Sequence, residues 1–244
     1  MTTSGTTTFT VTRDDIIKSA LRSLGVIAIG ETPQNEDYTN CAFALNLILK
    51  SLAAQGYLLW CYVHTTVPLT SGTASYTIGP AGTTPDVTAN RPIRVAYAYV
   101  RNPQNIDILL TQYSKSDYDD IPNKTAEGQP TCFYYDPTLD KGTLYTWPVI
   151  GESGYSVIVA VQRQVEDIAA GTSSTQNFDL PQEWYNPLRW LLAKHIAPEY
   201  VVDMPKLAMI KEYAEEAQNE IANFTREEAS VQFTVDPMMN SNVF

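Results

Sequence analysis

Apolar positions lay out two amphipathic helices early in the chain and one near its end, with a strand-rich block between them. Thr12 followed by Asp15 three residues on reads as a capping box. Ile16, Ile17, Ala20, Leu21 and Leu24 then share one helical face, and Gly25 stands where a left-handed glycine closes a helix. The second helix opens in "TPQNED", with Thr32 as N-cap, Pro33 at the first helical position, and Glu36 and Asp37 at the positive end of the dipole. Tyr38, Cys41, Leu45, Leu49 and Leu52 form its apolar seam, and Gly56 ends it. The last helix follows Asp203 and Pro205. Leu207, Ile210, Ala214, Ala217, Ile221 and Phe224 recur in steps of three and four. Lys211, Glu212, Glu215, Glu216, Asn219 and Glu220 fill its other face.

Between residues 60 and 178 the period changes. Gly, Pro, Ser and Thr recur at short intervals around β-branched and aromatic runs, which predicts strands at 61–69, 74–78, 93–101, 106–112, 131–135, 143–147 and 155–164. "YVRNPQNIDILL" and "YYDPTLDKGTLY" read as paired strands joined by turns, and "YSKSDYDDI" as one helical turn capped by Ser114 or Ser116. The expected fold class is α+β: a helical bundle formed by the N- and C-terminal segments (1–59 and 179–228), an inserted antiparallel β domain (60–178), and an extended C-terminal arm (229–244). In that arm Val231, Phe233 and Val235 alternate, and Met238, Met239, Val243 and Phe244 follow. An apolar stretch with no neighbouring sequence to bury it is expected to dock on a partner surface.

The densest apolar stretch is "DLPQEWYNPLRWLLAKHIAPEY", residues 179–200. Trp184, Leu188, Leu191, Leu192, His195 and Ile196 recur at helical spacing, which places His195 on the buried side, one turn before a Glu199 that can hold it. Pro181 and Pro187 each suit a first helical position and Asn186 suits an N-cap, so the spacing predicts a first turn at 181–185 and then a kink or restart. Trp184 and Trp190, with the seam Leu207 to Phe224, are the candidate packing residues, within one subunit or across to the next.

The chain has 244 residues and a net charge of −11, an acidity that argues against a clamp on nucleic-acid phosphates. Its three cysteines, Cys41, Cys61 and Cys132, are widely spaced and read as reduced thilols of a reducing cytoplasm. "MTTSGTTTFTVT" has neither the basic head nor the apolar run of a signal peptide, and no apolar run is long enough to span a membrane.

Chemistry-bearing motifs are scarce. The chain has no G-x-S-x-G, Walker A, G-x-G-x-x-G or H-E-x-x-H pattern, and His64 and His195 are its only histidines. No catalytic residue, cofactor or metal site is expected. Asp117, Asp119 and Asp120 could bind a hard cation, but the Ca²⁺ loop with its central glycine is missing and a solvated helix turn is the favoured reading. Phe133, Tyr134, Tyr135, Tyr145 and Trp147 could make a sugar-stacking platform, though aromatics on strands more commonly pack. The competing functions are thus a carbohydrate-binding β module on a helical mount, or a hydrolase using His195 with Glu183 or Glu199.

Three segments in order resemble the head-to-tail adaptor, or head-completion, proteins of short-tailed bacteriophages, including tail tubular protein A and packaged-DNA stabilisation proteins. They are "TRDDIIKSALRSLGVIAIGETPQNEDYTNCAFALNLILKSLAAQGYLLW", "EGQPTCFYYDPTLDKGTLYTWPVIG" and "FDLPQEWYNPLRWLLAKHIAPEYVV". The resemblance implies a non-enzymatic virion protein made in the host bacterial cytoplasm. It implies a homo-oligomeric ring, typically of twelve copies, at the head–tail junction, gripping the portal protein ring through an extended C-terminal segment and offering a platform to a tail tube, nozzle or fibre protein. DNA would pass through its channel at ejection without specific binding, and no membrane is involved.

Overall fold

The computed structural model describes residues 5–6, 9–57, 61–169 and 178–224. Two helices come first. Helix α1, Arg13–Leu24, carries the expected capping box: the Thr12 N–H donates to the Asp15 carboxylate at 3.1 Å, and the Asp15 N–H donates to Thr12 Oγ1 at 3.3 Å. Helix α2, Asn35–Gln55, starts later than Thr32 and Pro33 suggest. Gln34 is the N-cap, and its N–H donates to the Asp37 carboxylate at 3.0 Å. Gly25 and Gly56 close the two helices with φ of 78° and 85°. At Gly56 the left-handed φ favours glycine, and the Arg94 guanidinium packs into the space a Cβ would take.

All the expected strands form, as β1 (Tyr62–Pro68), β2 (Ser75–Gly79), β4 (Arg94–Arg101), β5 (Asp107–Gln112), β6 (Cys132–Pro137), β7 (Gly142–Trp147) and β8 (Ser156–Gln162). A two-residue strand, β3 (Val87–Thr88), was too short to leave a period. Ser114 caps the short helix α3, Lys115–Asp119. The eight strands join in the order β1-β8-β4-β5-β6-β7-β2-β3, and the sheet nearly closes into a barrel. It is mixed, not antiparallel throughout: β5 pairs with β6, and β2 with β3, in parallel. The long excursion from β5 through α3 lets the chain return in the same direction, which a tight hairpin cannot do. Val67, Tyr76, Ile78, Val95, Ala98, Val100, Phe133, Leu144, Val157, Val159 and Val161 point inward and fill the core of the curled sheet.

After β8 the chain re-enters the helices. A 3-10 turn, Gln182–Trp184, runs directly into α4, Tyr185–Ile196, and a second 3-10 turn, Ala197–Glu199, leads toward α5, Met204–Phe224. No restart occurs at Pro187. It is the third residue of α4, inside the first turn, where a backbone N–H has no helical partner to lose. Helix α4 packs against α1, α2 and α5 at once. Ile17, Leu21, Tyr38, Leu45, Leu49, Trp184, Leu188, Leu192, Ile196, Ile210 and Ile221 form this second core.

Polar contacts lock the two cores together. Gln162, the last residue of β8, is fully buried; its amide donates to the Ala53 carbonyl at 3.0 Å and accepts from Arg94 Nε at 2.7 Å. Ala53 lies in the last turn of α2, so a sheet side chain satisfies a helix-end carbonyl. Residues 163–169 then run back along α2 as a strap. Arg163 N–H donates to the Cys61 carbonyl, Lys50 Nζ to the Val165 carbonyl at 2.9 Å, and Asn46 exchanges two bonds with Ile168 at 2.8 and 2.9 Å. The buried Arg13 guanidinium holds the Ala169 carbonyl, and Arg163 grips Asp179 with both arms at 2.6 and 2.9 Å. Replacing Gln162 with Leu removes the acceptor of Arg94 Nε and leaves the Ala53 carbonyl only its bond from the Gly56 N–H. Urea unfolding of the Gln162→Leu variant is expected to show a loss of about 2 kcal/mol, against less than about 0.5 kcal/mol for the exposed Thr39→Ala.

Candidate functional site

His195 is exposed, where the periodicity put it on the buried side. The core stripe of α4 runs through Tyr185, Leu188, Leu192, Ala193 and Ile196, and His195 lies at its margin. Glu183 and Glu199 are exposed as well, and no hydrogen bond or ion pair joins either to His195 among the described residues. The pieces of the imagined hydrolase site are not assembled.

The acidic run and the aromatic run resolve into structure. Asp117 caps α3: its carboxylate accepts from the Ser114 hydroxyl at 2.7 Å and from the Ser114 N–H at 3.0 Å. The hydroxyl first, then the N–H, holds the Asp117 carboxyl below the ordinary carboxylate range. Asp119 and Asp120 are exposed, and among the described residues no group of three or more His, Cys, Asp or Glu side chains is arranged to hold a metal ion. Phe133 and Tyr135 turn inward, and the Tyr135 hydroxyl donates to the Pro92 carbonyl at 2.8 Å. Burial pushes that phenol up to about 12. Trp147 donates its indole N–H to the Asn123 carbonyl. Tyr134 and Tyr145 remain half-buried on the outside, stacked on each other and on Tyr118 with centroids 5.2–5.7 Å apart. Their faces are directed at one another more than at a ligand.

Of the packing candidates, Trp184, Ile210, Ala214, Ala217 and Ile221 are buried within the chain itself. Leu207 and Trp190 are half-buried. Trp190 lies between the Arg189 guanidinium, 4.3 Å from its ring, and Tyr213, with centroids 4.7 Å apart. Phe224 ends α5, and its side chain lies outside the described residues. Val231, Phe233, Val235, Met238, Met239, Val243 and Phe244 also lie outside them.

The apolar surface that sequence reasoning missed is on the helices. Phe43 and Leu47 are 64% and 46% exposed, one turn apart on the outer side of α2. Leu47, Ile48 and Leu52 face Leu191 across a groove of about 410 Å³, rimmed by Ser51, Gln55, Lys194, His195 and Gln218. A second patch, Met209 and Tyr213, lies on α5 beside Trp190. The signal was present: Phe43 and Leu47 fall off the seam that Tyr38, Cys41, Leu45, Leu49 and Leu52 define. On the sheet, Tyr97 and Leu109 expose a further apolar face.

A family model described as SU10 adaptor protein matches residues 11–238 of the chain. No curated protein matches it. All three cysteines are buried; burial pushes the Cys41 thiol up to about 12 and the Cys61 thiol up to about 11. Only the thiolate alkylates, so iodoacetamide at neutral pH is expected to leave the native protein unlabelled and to label all three sites rapidly in urea, as intact mass will show. Rapid labelling of the native state would place these thiols at the surface.

Proposed function

The chain belongs to the SU10 adaptor protein family, and from that premise we propose how its parts divide the work of joining portal to tail. It is a structural, non-enzymatic protein of the head–tail junction of the virion, where it interacts with portal and tail components. The helical segments 1–59 and 179–228 form the core of a ring, typically of twelve copies, assembled from subunits made in the host cytoplasm. The inserted segment 60–178 stands out from that ring and presents a surface to a tail tube, nozzle or fibre protein. Segment 229–244 reaches the portal as an extended arm, docking through Val231, Phe233, Val235, Met238, Met239, Val243 and Phe244. DNA passes without specific binding, because a net charge of −11 repels phosphates.

The observation that carries this reading is the family match along nearly the whole chain. It is supported by a molecule that exposes apolar side chains on the outer faces of its helices and sheet, among them Phe43, Leu47, Met209, Tyr213, Tyr97 and Leu109. The gain from burying one arm is of the same order as the entropy lost in ordering it, so a single arm binds weakly. Many arms on one ring act together through effective concentration.

Deleting 229–244 from the full chain is expected to weaken association with purified portal rings by at least about 100-fold, the scale of lost avidity. Sedimentation of portal with labelled protein measures it. Unchanged binding would remove the arm from the mechanism.

A further inference from the structure

Two apolar patches stand on opposite flanks of one helical layer and carry rims of opposite charge. The first is the groove floored by Leu47, Ile48, Leu52 and Leu191, with exposed Phe43 on the same outer side of α2. Its rim carries Lys194 and His195, and neither side chain is in an ion pair among the described residues. The second is the ridge of Trp190, Met209 and Tyr213, with Met209 and Tyr213 42% and 41% exposed. Exposed Glu212, Glu216 and Glu220 line the α5 side of this ridge. Two nearby cations are engaged within the chain. Arg189 lies over the Trp190 ring and reaches Ser19, and the Lys206 ammonium sits against Gly25 at the C-terminal end of α1.

The placement on α5 separates the patches. Gln218 faces the groove, and it follows Tyr213 by five positions and Met209 by nine. At about 100° per residue that puts the groove side roughly 140° and 180° round the helix from the ridge. A contact that pairs one patch with the other and repeats in one direction builds a ring or a filament, whereas a reciprocal two-fold pairing of the same patches would stop at a dimer.

We infer that the Phe43–Leu47–Leu191 groove of one copy receives the Trp190–Tyr213–Met209 ridge of the next, with Lys194 and His195 facing Glu212 and Glu216. The inference rests on the ring reading above and gives it a surface. Aromatic and methionine side chains are the residue types that anchor such interfaces, and the opposed rims fix the direction of assembly. The same acidic rim holds copies apart wherever ridge meets ridge, which disfavours the symmetric alternative.

The test is disulfide trapping in the full-length protein, free and mixed with portal rings. The native thiols are buried, so mild oxidation reports on introduced cysteines. A Leu47→Cys, Met209→Cys double variant is expected to give a ladder of cross-linked oligomers, and a mixture of the two single variants only dimers. Charge reversal supplies the second arm. Lys194→Glu and Glu216→Lys are each expected to weaken self-association about ten-fold, and the doubly reversed chain to recover it. Full occupancy of the portal with no cross-link overturns the pairing and leaves the adaptor reading standing. A ladder without portal binding does the reverse. Oxidation of Leu47→Cys onto a cysteine placed at Phe233 would assign the groove to segment 229–244 and overturn the pairing, as would the lack of any cross-link in both conditions.

Discussion

Everything in this fold depends on how the chain crosses between helix and sheet, and one buried amide governs that crossing. Gln162 ends the central strand of the β1-β8-β4 half of the sheet, and its side chain binds both Arg94 beside it and the last turn of α2. A buried amide is tolerated only with its partners in place, so the contact selects one docking of sheet on helix. The strap that follows extends the same logic. Asn46, Lys50 and Arg13 together satisfy carbonyls of residues 165–169 that would otherwise enter the interface unpaired. Apolar burial supplies the driving force in each core, and these polar contacts supply the orientation.

That arrangement suits a connector. A protein that holds two partners must transmit a fixed geometry from one to the other, and a hinge at the crossing would lose it. Here the helical entry to the sheet ends in a left-handed Gly56 packed under Arg94, and the exit is tied by the Arg163–Asp179 pair to the segment that leads into α4. With its crossing fixed, the molecule exposes apolar side chains in a groove, on an aromatic ridge and on an outer sheet face. The acidic character of the chain acts on a longer range. A net charge of −11 sets a repulsive field toward other copies and toward phosphates.

How much of this was legible depended on how local each determinant was. Thr12 with Asp15, Gly25 and Gly56 announce helix ends within a few residues, and the structure has them there; of Ser114 and Ser116, it is Ser114 that caps α3. The strands showed through their turns and alternation. Strand order did not, because pairing joins residues far apart, such as Tyr62 with Gln162, and the parallel β5–β6 contact depends on a detour through α3. Gln162 itself looked like an ordinary polar strand end. His195 was misplaced because a helix buried on several sides has no single stripe: α1, α2 and α5 together decide which margin stays wet. The same ambiguity hid Phe43 and Leu47, which belong to the helix pattern but not to its seam. The family, by contrast, was readable from the order of three segments, none of them sufficient alone.

The central claim is that this chain joins portal to tail by direct assembly on the portal ring. The most direct measurement is the native mass of portal rings before and after incubation with the purified protein. The account predicts a discrete increase equal to a whole-number multiple of the chain mass, filling a complete ring. A portal mass that stays unchanged at saturating protein would contradict it.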